Sequence, residues 1–314
     1  METMPNRLLL AVDGSSQSQL VVDYVGTLFP PDKTHVVLYH VLSELPEVLW
    51  DMERNTDQYF QLHSAHAWMS EQKKMIREFL SQSKQQLVRK GFAGSQVETV
   101  IEPRKKGIAR DILNTAQDGF DALVMGRFGR SRVKDFVVGS IATKLLGKLT
   151  DITMIVVGKE IVSPHILLAY DASEGADRAL YSVCRFMGND NSKHIRIVNV
   201  VRSVSMFYFD ELQGNYPIDE MEWTEKHRET IEPALDRAVA QLVEAGISRE
   251  NVSKKILTDQ ISRAGAVIDE ARDNGFGTIV VGRRGLSFVE EFFLGRVGKK
   301  IFQMGDDRTI WIAN

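Results

Sequence analysis

The 314-residue sequence contains a single cysteine, Cys184. That scarcity excludes a disulfide framework and any cysteine-built metal cage. The surrounding "ALYSVCRFM" reads as one face of a helix, which places the thiol in a core. Neither sign of charge dominates. The 39 basic and 42 acidic residues leave a formal net charge of -3, so the basic surplus of a general nucleic-acid or membrane-surface binder is missing. No apolar run reaches the roughly 18 residues that a membrane span requires. The opening "METMPNRLLLAVDGS" enters a strand directly, without the cleavable apolar segment of a leader. These absences predict a soluble, cytoplasmic protein. Two common phosphate-binding motifs are absent as well: there is no G-x-x-x-x-G-K-[ST], and no G-x-G-x-x-G follows the first strand.

What is present is a duplication. The length suggests two domains of about 150 residues, and internal self-similarity places them. "LLLAVDGSSQSQLVVDYV" from Leu8 resembles "ILLAYDASEGADRALYSV" from Ile166, with Asp13 on Asp171 and Ser15 on Ser173. "HVVLYHVL" (35–42) matches "HIRIVNVV" (194–201). "ARDILNTAQDGFDALVMGRFG" matches "AGAVIDEARDNGFGTIVVGRRG", and Gly126, Gly129 and Gly139 recur as Gly282, Gly285 and Gly295. "ITMIVVG" (152–158) pairs with the final "RTIWIAN". The expected domains are 1–160 and 161–314. The short junction near 158–165 predicts halves that pack closely.

Each half reads as strands alternating with helices: strands at 7–12, 35–42, 96–101 and 121–125, then at 165–170, 194–201, 251–257 and 277–281. Long helices are expected at about 62–90 and 223–246, the second with a late start or a kink at Pro233. Shorter ones are expected at 107–118 and 262–274. Ser15 and Ser173 are expected helix caps. A last helix and a fifth strand complete each unit. This alternation indicates two tandem α/β domains, each a doubly wound five-stranded parallel sheet. Ligands of such sheets bind beyond the C-terminal strand ends, at the switch in strand order.

The stretch "GRFGRSRVKDFVVGS" (126–140) lies at that edge, directly after the fourth strand ends at Met125. Gly126 and Gly129 allow close backbone approach, and Gly139-Ser140 opens a helix whose amides favour an anion. Phosphate held by backbone amides is one reading; a plain tight βα connection is the other. Asp13, at the end of the first strand, is suited to a ribose hydroxyl or a base amino group, or else to orienting the next helix. Val41, by its residues alone, is ordinary core.

Strand-Asp-Gly/Ala-Ser, together with G-x2-G-x9-G-[S/T], resembles the universal stress protein family over nearly the whole chain, as a tandem pair. The resemblance implies a regulatory protein of the stress response that binds ATP, or AMP or ADP, with or without Mg²⁺. It puts the site at Ala11, Val12, Asp13, Val41, Met125, Gly126, Arg127, Gly129, Arg130, Gly139, Ser140 and Ile141. It implies a second, weaker site at Asp171, Val200, Gly282, Gly285, Gly295 and Arg296. It also implies pairing through fifth strands, as an intrachain pseudo-dimer or a homodimer, and a protein partner of unknown identity.

The copies are unequal. Arg296 stands where the family has Ser/Thr. Residues 126–140 carry four basic residues (Arg127, Arg130, Arg132, Lys134) against Asp135, a net of +3, while residues 282–296 carry three (Arg283, Arg284, Arg296) against Glu290 and Glu291, a net of +1. The first copy is therefore the expected nucleotide site. An enzyme, at most a slow ATPase, is the less favoured reading, because only Asp13 and Asp135 offer acidic groups near the loop. A ligand-free interaction module is the third reading. No metal site is expected. His63 and His66 lie three apart on a helix but lack completing ligands. The aromatic-rich "VLWDMERNTDQYF" and "SMFYFDELQGNYPIDEMEW" occupy equivalent places and read best as interface. "VRKG" and "PRKKG" read as solvated surface.

Overall fold

The computed structural model describes residues 5–43, 59–129, 139–203, 220–283, 296–305 and 307–314, the side chains of 59–66 and 220 excepted. Two compact units emerge: Met1–Thr27 with Pro31–Leu145, and Leu28–Pro30 with Leu146–Asn314.

The first unit contains β1 (Asn6–Ala11), α1 (Ser16–Leu28), β2 (Thr34–Leu42), α2 (Tyr59–Arg89), β3 (Val97–Pro103), α3 (Ile108–Ala116), β4 (Ala122–Gly126) and α4 (Ser140–Leu146). Its strands lie in the order β3-β2-β1-β4. The pairs β1–β2, β1–β4 and β2–β3 are all parallel. Leu8, Leu9 and Leu10 of β1 are fully buried, as expected of a parallel strand covered on both faces. Chain order reverses between β1 and β4, so the switch point lies there. Ala11 is in register with Tyr39 and with Met125, which brings the ends of the three strands level. The basic turn at Lys105 and Lys106 is exposed, as its composition suggests. Its backbone is nevertheless fixed, because Asp111 accepts N–H bonds from Lys105, Lys106 and Gly107 at 2.9–3.3 Å.

The second unit contains β5 (Thr153–Val157), β6 (Ile166–Ala169), α5 (Glu174–Met187), β7 (Ile195–Arg202), α6 (Glu220–Glu244), β8 (Val252–Gln260), α7 (Arg263–Asp273), β9 (Thr278–Gly282), α8 (Arg296–Met304) and β10 (Thr309–Ala313). The strand order is β5-β10-β9-β6-β7-β8. The fifth strands of the two repeats, β5 and β10, run antiparallel, with Trp311 opposite Ile155. Trp311 is fully buried. It stacks on Phe29 at 5.7 Å and meets Phe186 edge-on at 5.5 Å. Helix α6 runs unbroken through Pro233. Ile231, Leu235 and Leu242 of that helix are buried, and burial of this face offsets the single N–H that proline removes. Cys184 is half-buried on α5. Burial pushes its thiol up to about 11, so it is not a reactive thiolate at neutral pH.

One polar cluster threads the second unit. Glu270 on α7 is buried and binds Arg196 at 2.6 Å and Lys255 at 2.7 Å. Arg196 Nε donates to Ser253 Oγ at 3.3 Å, and that oxygen lies 2.9 Å from His194 Nε2. Ser253 Oγ, with one proton and two lone pairs, thus joins Arg196 to His194 whichever ring tautomer is present. Burial first, then the charges of Arg196 and His165, hold His194 below the usual histidine value. A folded value lowered in this way gives stability that is complete above the unfolded value, about 6.5. That contribution is lost as pH falls through the folded value. Thermal melts of wild type and His194→Gln from pH 7.5 to 5 should converge as pH falls. A constant gap between the two would show that His194 is not the titrating group.

Candidate functional site

The site is built from the turn after β1. Val12 N–H donates to Tyr39 O at 3.0 Å, and His40 Nδ1 donates to Val12 O at 2.8 Å. The first of these bonds extends the ladder between β1 and β2 by one residue. Gly14 has a positive φ of 77°, which bends the chain into α1 without cost to a glycine. Ser15 precedes the helix and accepts the Ser18 N–H at 3.3 Å. It is thus the expected cap. Ser18 is the residue the sequence did not single out. Its hydroxyl accepts the Asp13 N–H and donates to Asp13 Oδ1, both at 2.8 Å. Ser15 N–H also donates to Asp13 Oδ1, at 3.0 Å. Asp13 therefore orients the helix start, the second of the two roles read from sequence, and is itself held at the switch point.

The glycine loop closes on the same place. A Cβ on Gly129 would sit 2.8 Å from Asp13 Oδ2, and one on Gly126 would sit 2.3 Å from Gln17 Cγ. Gly139 N–H donates to Arg127 O at 2.8 Å, so the loop's two described ends are tied together. That bond engages one of the amides expected to face an anion. Thr143 N–H makes the bond to Gly139 O, at 3.1 Å. The amides of Ser140 and Ile141 thus precede the ladder of α4. Ser140 and Gly129 are exposed, while Val12, Val41 and Met125 are buried and line the sheet beneath. Arg127 is fully buried, so its charge belongs to the interior and does not add to the exposed loop charge. Arg130, Arg132, Lys134 and Asp135 lie outside the described residues, as do the side chains of His63 and His66. Among the described residues no group of His, Cys, Asp or Glu is arranged to hold a metal ion.

The second repeat has the same frame with different fittings. Tyr170 N–H donates to Val198 O at 2.9 Å, and Asn199 Nδ2 donates to Tyr170 O at 2.8 Å, in the manner of Val12 and His40. Ser173 caps α5 through Ala176 N–H. Asp171 Oδ1 accepts from Ser173 N–H at 3.1 Å, but Ala176 stands where Ser18 would be, so the hydroxyl that fixes Asp13 is missing. Ala172, in place of Gly14, is forced to φ 60°, a conformation that costs a non-glycine residue about 1 kcal/mol. Gly282 is pressed on backbone: a Cβ there would lie 2.3 Å from the carbonyl of Gly175. Helix α6 adds His227, whose Nε2 is 3.1 Å from Asn199 Oδ1. Burial, then Arg263, lowers His227 from the usual value. Arg283, the counterpart of Arg127, is buried and donates to Leu149 O and, at 2.9 Å, to Asn314 Oδ1. Val200 is buried and Arg296 is exposed at the start of α8. Gly285 and Gly295 lie outside the described residues.

A family model described as the universal stress protein family matches residues 4–158 and again 163–304. The chain belongs to the universal stress protein family. The two matches make it a tandem member, and membership supports a protein of the stress-response type. A universal stress protein, YxiE of Bacillus subtilis, is 27% identical over 143 residues, covering 45% of this chain and 92% of that protein. The crystal structure of a universal stress protein from Archaeoglobus fulgidus covers 99% of both chains with a TM-score of 0.60 at 17% identity. A putative universal stress protein from Pseudomonas aeruginosa covers 98% of this chain and 93% of its own with a TM-score of 0.52 at 13% identity. These likenesses show the universal stress protein fold. Among the described residues no helix is long and apolar enough to cross a membrane.

Proposed function

We propose that the first repeat binds an adenine nucleotide, with ATP the favoured form, and that occupancy is read by a partner surface in the stress response. The supporting observation is the convergence at the switch point. Gly129 has no room for a side chain because the fixed carboxylate of Asp13 is 2.8 Å from where its Cβ would be. Asp13 is suited to a ribose hydroxyl, and the amides at Ser140 and Ile141 to phosphate. His40 and Tyr39 hold Val12 in place beside the buried Val41, where an adenine would meet the sheet edge. The second repeat, lacking the Ser18 hydroxyl and carrying Arg296 for the Ser/Thr, is the diverged copy.

Calorimetric titration with ATP and Mg²⁺ tests this. Gly129→Ala would push the Asp13 carboxylate aside while touching no backbone, and should weaken binding at least tenfold, about 1.4 kcal/mol. Asp171→Ala should leave affinity unchanged. Equal affinity in wild type and Gly129→Ala, or a loss confined to Asp171→Ala, would refute the assignment.

A further inference from the structure

The second residue of the helix after the first strand differs in size between the copies. It is Gln17 in α1 and Gly175 in α5. Each stands against the first glycine of its own loop, Gly126 or Gly282. The turns entering the two helices are alike, with Gly14 at φ 77° and Ala172 at φ 60°. The gap between helix and loop is not alike. At Gly282 the place of a Cβ lies 2.3 Å from the carbonyl carbon and oxygen of Gly175 and 2.9 Å from Ala176 N, so backbone rests on backbone. At Gly126 the same place lies 2.3 Å from Gln17 Cγ, 3.2 Å from Phe128 O and 3.3 Å from Gln17 Cβ. These are the nearest atoms, so no backbone atom of α1 comes within 3.3 Å of it. The start of α1 therefore stands about 1 Å or more farther from its loop than the start of α5 does (3.3 against 2.3 Å), and the glutamine side chain fills the difference.

We infer that Gln17 is a spacer. Its length holds the start of α1 off the glycine loop and keeps the crevice between them open. Gly175 lacks that length, and α5 closes the equivalent crevice in the second repeat. What enters the crevice rests on the nucleotide reading above; the spacing itself does not. The crevice is bounded by Asp13 at the turn into α1 and by Gly129 in the loop. Asp13 accepts from Ser15 N–H and from the Ser18 hydroxyl, so it travels with the start of the helix. A shift of α1 toward Gly126 brings the Asp13 carboxylate against the loop, where Oδ2 is already 2.8 Å from the place of a Cβ on Gly129. Close-packed interiors transmit such shifts instead of absorbing them. Gln17 is thus a positioning residue, and it decides, together with the loop sequence, which copy takes a ligand.

Urea denaturation tests the spacing without nucleotide. Gln17→Gly should let α1 settle on its loop as α5 does, so that a methyl at position 126 then meets backbone. The midpoint shift caused by Gly126→Ala should be at least about twice as large in Gln17→Gly as in the wild-type chain. Gln17→Ala keeps only the Cβ and should give an intermediate shift; it carries the comparison if Gln17→Gly does not fold. A shift no larger than in wild type, or a smaller one because the methyl fills a void, would overturn the proposal. ATP titration tests the consequence. Gln17→Gly should bind ATP about tenfold more weakly or worse. Gln17→Met, of similar length without the amide, should return affinity to within about threefold of wild type. Gln17→Met as weak as Gln17→Gly would show that the amide itself holds the ligand. Gln17→Gly as tight as wild type would show that the width is set elsewhere. Either result overturns the proposal. A wild type that binds no ATP would remove the proposed function and leave the denaturation result to decide the spacer.

Discussion

Replacing Glu270 with alanine should cost the second unit about 2–4 kcal/mol. The carboxylate is 5% exposed and is shared by two cations. Removing it leaves Arg196, whose side chain is only 22% exposed, facing a void with its charge uncompensated. Lys255 is 45% exposed and can turn to water, which keeps the cost below that of a fully enclosed pair. Arg196 also retains Asn274 Oδ1 at 3.1 Å and its place over the Phe276 ring at 5.0 Å. Glu270→Gln keeps the shape and one acceptor, and should cost about half as much. Urea midpoints of the three proteins decide it. A loss under about 1 kcal/mol for Glu270→Ala would mean the cluster behaves as surface ion pairs do.

The second large effect separates two glycines that look alike in sequence. Gly282→Ala sets a methyl 2.3 Å from the carbonyl carbon and oxygen of Gly175 and 2.9 Å from Ala176 N. All three atoms are backbone at the start of α5, so the helix must slide along β9. The expected cost is about 3 kcal/mol, the upper part of the range for overpacking. Gly126→Ala, its counterpart, meets Gln17 Cγ at 2.3 Å. Gln17 Cβ at 3.3 Å and the Phe128 carbonyl oxygen at 3.2 Å are also close, but rotation of the glutamine side chain relieves the shortest contact, and the expected cost is about 1 kcal/mol, below that at Gly282. Neither glycine needs a positive φ, so the contrast isolates packing from backbone strain. Equal losses at the two positions would contradict the packing account.

Much of the fold was legible because periodicity and duplication report on the same elements twice. The eight strands read from sequence fall within about three residues of those observed. Pro233 does not delay the start of α6, which begins at Glu220: local propensity takes no account of the buried face that carries the helix past it. The glycine loop and Asp13 were legible as a pattern, and the structure brings Gly129 and Asp13 together. Ser18 and His40 escape a sequence reading because their role lies in hydrogen bonds to Asp13 and to Val12, which leave no spacing signal. A comparison of the copies would have raised them, since Ser18 becomes Ala176 while His40 becomes Asn199, which keeps a donor. By sequence Arg127 belongs to the loop's basic charge, yet it is fully buried. Its counterpart Arg283 shows why a loop arginine goes inward, donating to the Leu149 carbonyl. Such a partner lies far along the chain, where composition cannot indicate it.

The nucleotide stoichiometry of the intact chain tests the account most directly. Equilibrium dialysis against saturating ATP should give one nucleotide per chain in wild type and in Asp171→Ala, and at an ATP concentration near the wild-type Kd Gly129→Ala should hold about a fifth or less of the nucleotide that wild type holds. Two nucleotides per chain, or none, would contradict a site confined to the first repeat.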